Sequence, residues 1–264
     1  MPKEKKKGKE EEGEVRFVYG EAAVVVNTEG KNRLVIGDVH IGAEQRFVGK
    51  GVHLYNIVDA MVEKIKRMMK EHSADCIIIL GDVKDSILYP PMPETGEIKR
   101  FFEGLKDYDI TVTAGNHDPH LDEVIGVGVR IVDELILGRS AFLHGHRWPS
   151  DAAMKCNYIF AGHNHSAVRI MDRNKGVYAE KAWLLAKLDK LGAKGRYPEA
   201  NPGIRLVVLP AFNDLITGMP VNEVKDNEHL SPLFRNKIFD YGKAEVFSLR
   251  GERLGTPDSL AQND

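Results

Sequence analysis

Cysteine is scarce in this sequence, neither sign of charge dominates it, and no apolar run in it approaches the length of a membrane span. Each shortage excludes something. Of 264 residues only two are cysteines, Cys76 and Cys156. Both stand in apolar runs, which fits small buried core residues and not a disulfide or a thiolate metal site. That usage leads us to expect a reducing, cytoplasmic setting. Lys and Arg number 37 against 39 Asp and Glu, a net charge of −2. Such a balance makes no case for a protein that coats nucleic acid through general positive charge, so any basic surface has to be local. No apolar segment at the N-terminus has the form of a signal peptide, and we expect no membrane contact.

What is present is a globular composition, 42% hydrophobic, with enough length for a substantial core. Residues 1–14 hold five Lys and five Glu. They have no apolar area to bury and are expected to be a disordered charged tail, with residues 15–264 forming a single domain. Residues 15–19 and 22–26 read as a hairpin, and Glu29-Gly30-Lys31-Asn32 as the turn after it. Leu54, Ile57, Val58, Met61, Ile65 and Met68 recur at helical spacing and predict an amphipathic helix over residues 54–69. A Pro-rich loop over 90–96 and a helix over about 97–106 follow. Residues 130–132, 134–137 and 140–143 read as strands of a more antiparallel sheet, extended by residues 168–171, 177–184, 204–210 and 243–249. The expected fold is α/β, with two packed mixed β-sheets flanked by helices.

Five short polar runs punctuate the chain: Gly37-Asp38-Val39-His40, Gly81-Asp82-Val83-Lys84-Asp85, Gly115-Asn116-His117-Asp118, His144-Gly145-His146 and Gly162-His163-Asn164-His165. An apolar run leads into each, so each reads as a buried strand ending in a polar loop. Loops at the carboxyl ends of such strands converge on one crevice. A lone Asp-x-His is an ordinary surface turn, and a lone Gly-Asp an ordinary cap or turn. As a set, the five loops offer Asp38, His40, Asp82, Asn116, His144, His163 and His165, oxygen and imidazole groups suited to Mn, Fe, Zn, Co or Ni. Seven ligands exceed the need of one tetrahedral zinc and suit two cations with a carboxylate between them.

In this order the five runs resemble the signature of the calcineurin-like metallophosphoesterase superfamily, over residues 33–170. The segments Leu209-Pro210-Ala211-Phe212-Asn213-Asp214 and Ala244-Glu245-Val246-Phe247 are similar to an archaeal branch related to the DNA double-strand-break repair nucleases. The resemblance implies a four-layer sandwich and two divalent ions, Mn2+ first and Fe, Zn, Co or Ni as alternatives. It implies that Asp38, His40 and His165 hold one ion, that Asn116, His144 and His163 hold the other, and that Asp82 bridges. It places His117 over the ions as a catalytic group acting on the phosphoryl charge or the leaving oxygen. Asp118 would orient His117 through a hydrogen bond, or else cap a turn, and Asp85 would be an outer or structural residue. The last run departs from the family's commonest form only at Asn164.

The expected activity is hydrolysis of phosphodiester bonds by an activated water, with single-stranded or end-exposed DNA as the partner. His146 and Arg147 are candidate substrate-binding residues, and Trp148 either stacks on a base or packs at a rim. The basic residues Lys181, Lys187, Lys190, Lys194 and Arg196 either flank the cleft or form a solvated helix face. A small-molecule phosphodiesterase or phosphatase is the alternative enzyme. A non-enzymatic partner of a DNA-processing complex is the third reading, and an intact ligand set argues against it.

Overall fold

The computed structural model describes residues 13–48, 56–126, 128–171, 176–225 and 228–261. The tail expected over 1–14 falls almost wholly outside them, as does Leu54.

The first half of the chain alternates apolar residues on two faces. In β2 (Val24–Thr28), β3 (Lys31–Ile36) and β4 (Cys76–Ile79), Val25, Leu34, Ile36, Ile77 and Ile79 face one core, while Val24, Val26, Val35 and Ile78 face another. Period-two alternation between two apolar faces is what a sheet covered on both sides requires. With β1 (Val15–Phe17), β5 (Asp109–Thr113) and β6 (Val129–Val132), these strands form a six-stranded sheet in the order β1-β2-β3-β4-β5-β6. β1, β2 and β3 pair antiparallel, and β3 to β6 pair parallel.

β6 corrects the sequence-based expectation, which grouped residues 130–132 with the antiparallel strands that follow. The short helix Leu121–Val124 carries the chain back over the first sheet, so β6 runs parallel beside β5.

The second sheet takes the later strands: β7 (Glu134–Leu137), β8 (Ser140–Leu143), β9 (Tyr158–Ala161), β10 (Ser166–Met171), β11 (Val177–Lys187), β12 (Arg205–Val208), β13 (Met219–Pro220), β14 (Glu245–Ser248) and β15 (Arg253–Gly255). Its order is β13-β10-β11-β12-β9-β8-β7, with β14 on β11 and β15 on β14. β8, β9 and β12 are parallel neighbours; most other pairs are antiparallel. Leu135, Phe142, Phe160, Val207 and Leu209 of this sheet meet Val24, Val26, Val35, Ile78 and Leu80 of the first. The two sheets therefore pack face to face with helices outside, the α/β sandwich expected.

Two helices cover the first sheet. In Ile57–Glu71, Val58, Met61, Val62, Ile65, Met68 and Met69 are buried, a stripe at helical spacing. The second helix, Met92–Gly104, starts earlier than the expected Glu97. Proline in a helix's first turn loses no hydrogen bond, so Pro93 continues the helix where a Pro-rich loop was expected. Among the described residues no helix is long and apolar enough to cross a membrane.

Candidate metal centre

Three parallel strands of the first sheet and two of the second end side by side, and the polar runs follow at those ends. Backbone bonds extend the β3–β4 pairing into the loops: Asp38 N donates to Gly81 O (3.1 Å) and His40 N to Asp82 O (2.9 Å). The loops turn sharply. Asp38, His40, Asp82, His163 and His165 all have φ between 43° and 67°. Asp and His enter this left-handed region more readily than most residues, at a cost of about 1 kcal/mol or more each. Glycine permits the closest approach. A Cβ on Gly115 would stand 2.1 Å from Asp82 Oδ1.

Carboxylates tie each loop to the next. Asp38 accepts from His163 N (3.1 and 3.0 Å), and Asp82 Oδ1 accepts from His117 N (2.9 Å). Asp118 accepts from Gly115 N (2.8 Å) and Val83 N (2.9 Å). The bond expected from Asp118 to His117 is not the one formed. His117 Nδ1 meets the Asp85 carbonyl instead, at 2.6 Å. Three amide donors, the third Lys84 N at 3.4 Å, already engage the Asp118 carboxylate, which stays in the turn.

The side chains converge in two overlapping groups. Asp38, His40, Asp82 and His165 form one; Asp82, His144 and His163 form the other; within each, ligand atoms lie within 4.8 Å of one another. In the first, His40 Nε2 is 3.1 Å from His165 Nε2 and 3.7 Å from Asp82 Oδ2, and His165 Nε2 is 3.3 Å from Asp38 Oδ1. In the second, His144 Nδ1 donates to the Leu80 carbonyl (2.7 Å). That bond turns His144 Nε2 toward Asp82 Oδ2 (3.3 Å), Asn116 Oδ1 (3.1 Å) and His163 Nδ1 (3.2 Å). Several lone-pair atoms thus point at one another with at most a proton to share. A cation satisfies all of them together, so the donor set fits bound metal.

The same crowding sets the protonation. Burial would lower the pKa of His144, but the hydrogen bond and charge of Asp82, with Asp38, hold it at about 9. Burial and then the charge of His144 push His163 down to about 4. Burial would likewise raise Asp38 and Asp82; histidine neighbours outweigh it and keep both carboxyls below the usual range. His165 is raised, its burial outweighed by Asp38.

The other expected residues sit around this cluster. His117 lies beside it, Nε2 4.0 Å from Asp82 Oδ2 and its ring 5.0 Å from that of His40. His146 borders it, 5.2 Å from His144 ring to ring, and is pushed down to about 4 by burial and His144. Arg147 is exposed and pairs with Asp133 at 2.6 Å. Asp85 stands 3.2 Å from His40 Nδ1, within charge reach but off the line of a hydrogen bond, and also pairs with Arg46. The basic stretch is not one helix face. Lys181 and Lys187 lie on β11, where Lys181 Nζ reaches Asn213 O (2.9 Å) and Asp214 (3.0 Å); Arg196 covers Trp148.

Two contributors were not singled out as site residues from the sequence. Asn213 is buried, and its amide donates to the carbonyls of Val39 (2.9 Å) and His40 (3.1 Å), clamping the first loop from the second half of the chain. Lys84 is fully buried; its ammonium gathers the carbonyls of Ser86, Ile87 (3.3 Å) and Leu88 (2.8 Å) into a tight loop beside Asp85.

Residues 32–151 match the family model for calcineurin-like phosphoesterases. That stretch is similar to the calcineurin-like phosphoesterases. With its Asp/His groups, the chain is a metallophosphoesterase hydrolase. No curated protein sequence matches it. Among solved structures, the Pseudomonas putida nuclease MPE is similar at 16% identity and a TM-score of 0.51, over 86% of this chain and 97% of that one. The E. coli phosphoesterase Yfce is matched at 13% identity and a TM-score of 0.38, over 84% of this chain and 96% of that one. At such identities the MPE likeness bears on the fold alone.

Proposed function

We propose that this metallophosphoesterase holds two divalent cations and hydrolyses phosphodiester bonds in nucleic acid, with single-stranded or end-exposed DNA as substrate. Asp38, His40 and His165 hold one cation, Asn116, His144 and His163 the other, and Asp82 bridges. The observation that carries this reading is the membership of Asp82 in both ligand groups. Mn2+ is the first candidate because imidazole, carboxylate and amide oxygen make up the whole set, with no thiolate. When bound, the cations act as Lewis acids toward water and the phosphoryl oxygens.

The chain's own residues supply the rest. The carbonyl of Asp85 accepts a hydrogen bond from His117 Nδ1, which leaves Nε2 facing the cleft. As the imidazolium, His117 donates from Nε2 to a phosphoryl oxygen or delivers that proton to the leaving oxygen. His146 and Arg147 border the cleft on the β8 side.

The nucleic-acid part has two supports. The Leu209–Asp214 segment resembles that of the archaeal branch related to the double-strand-break repair nucleases, and its Asn213 holds the first ligand loop. The fold is also shared with a bacterial nuclease. A direct test incubates the protein with Mn2+ and single-stranded DNA, then with a nitrophenyl phosphodiester. Cleavage of both is expected. Hydrolysis of the nitrophenyl diester alone would turn the assignment to a small-molecule phosphodiesterase.

A further inference from the structure

Beside the metal centre, under the loop after β8, lies a cavity of about 280 Å3. His144, His146, Trp148, Asp133 and Glu134 are among the residues that line it. We propose that this cavity is a nucleobase subsite, in which the base next to the scissile phosphate stacks on Trp148 and meets His146 with its polar edge. It rests on the nucleic-acid reading of the metal centre and specifies what is recognised there.

Four observations carry it. Trp148 is 37% exposed, a large apolar surface to leave in water. Its loop is nonetheless fixed: Ser150 donates to Glu134 from N (3.0 Å) and Oγ (2.5 Å), Arg147 pairs with Asp133 (2.6 Å), and Tyr197 Oη donates to the Pro149 carbonyl (2.8 Å). An aromatic ring held in place by its neighbours is a stacking platform that loses little entropy on binding. Arg196 does not line the cavity; its guanidinium backs the indole, 4.0 Å from the ring centroid. That contact fixes the ring further.

The third observation concerns charge. With Asp133 matched by Arg147, Glu134 leaves the lining acidic. A phosphate is repelled there, whereas a neutral heteroaromatic ring is not. The phosphate belongs at the metal centre, and the cavity takes the neutral part of the same nucleotide. Finally, His146 lines the cavity and is only partly buried, and a base edge presents both donors and acceptors to such a ring. His146 lies 6.0 Å ring to ring from His163, so subsite and centre adjoin.

The test compares wild type, Trp148→Ala and Trp148→Phe on two oligomers in Mn2+: single-stranded oligothymidylate, and one of equal length built of abasic tetrahydrofuran phosphates. Trp148→Ala should lower kcat/KM on oligothymidylate by about 5- to 150-fold, mostly through KM, as loss of one stacked base does. Trp148→Phe should recover part of it, and the abasic oligomer should be cleaved equally by all three. Equal losses on both oligomers, or no loss on either, would overturn the subsite.

If wild type cleaves neither oligomer, the nucleic-acid reading itself fails. The subsite is then judged by binding, from the fluorescence of Trp148 taken as wild type minus Trp148→Phe. The other tryptophan, Trp183, is fully buried and gives a constant background. Thymidine 5′-monophosphate should quench Trp148 where deoxyribose 5-phosphate does not; equal quenching, or none, refutes it.

Discussion

The two ligand groups share Asp82 but differ in charge, backbone and outer support. The first brings two carboxylates, Asp38 and Asp82, with two imidazoles; the second brings Asp82, two imidazoles and the neutral oxygen of Asn116. Every member of the first has a left-handed backbone, whereas His144 in the second does not. The outer partners differ too. A carboxylate, Asp85, faces His40, and a backbone carbonyl, that of Leu80, faces His144. Ligand charge largely sets how tightly a hard cation is held. On that ground the first group should hold a cation more firmly than the second.

The largest effect should come from the residue that belongs to both. Asp82→Asn removes the shared charge, and both sites should weaken by more than the roughly 10- to 100-fold that even an outer partner is worth. Elemental analysis of protein soaked in Mn2+ should find less than one ion per chain, against two in wild type. Two ions in the variant would break the bridging assignment.

Next comes His117, which belongs to neither group. His117→Ala should keep both ions and the melting temperature while turnover falls by about 10²–10⁴-fold, the usual range for losing a general acid or base. A nitrophenyl diester, whose leaving group needs no proton, should lose less than DNA does. Loss of metal in this variant would move His117 into a ligand group.

How much of this was legible in the sequence follows from where the information sits. Asp38, Asp82 and Asn116 each follow an apolar run whose alternation announces a buried strand, so local pattern alone locates them. Asn213 acts on Val39 and His40 from more than 170 positions away, and no local pattern carries such a contact. Lys84 reads as one more polar residue in a polar run, yet folds inward because three carbonyls replace its water. Asp118 was open between two roles, and only the directions of Gly115 N and Val83 N decide for the turn. β6 was assigned to the wrong sheet because a four-residue strand looks alike in either.

The difference in charge can be tested directly. Graded chelation should remove one ion before the other, and His163→Ala should retain one ion per chain where His165→Ala loses the tighter one. Asn116→Asp equalises the carboxylate count, so the two ions should then leave together. Simultaneous loss in the wild type would show the two sites to be one cooperative unit.

The smallest effect should come from the outer partner, and it separates the two groups most cleanly. Asp85 Oδ1 stands 3.2 Å from His40 Nδ1, on the side away from the ligand group, so its charge favours the tautomer and orientation that present Nε2 to the cation. Losing such a partner typically costs 10- to 100-fold in metal affinity. Asp85→Asn removes the charge and keeps the shape, so we expect about tenfold, in the first site only. The second site takes its orientation from the Leu80 carbonyl and should be unchanged. Asp85 also pairs with Arg46, whose side chain is 57% exposed; an exposed pair is worth little, so Arg46→Ala should alter neither site. Metal titration of the three proteins decides: a tenfold loss in one site of Asp85→Asn alone supports the asymmetry, and equal weakening of both sites would mean that Asp85 acts through the fold of the loop.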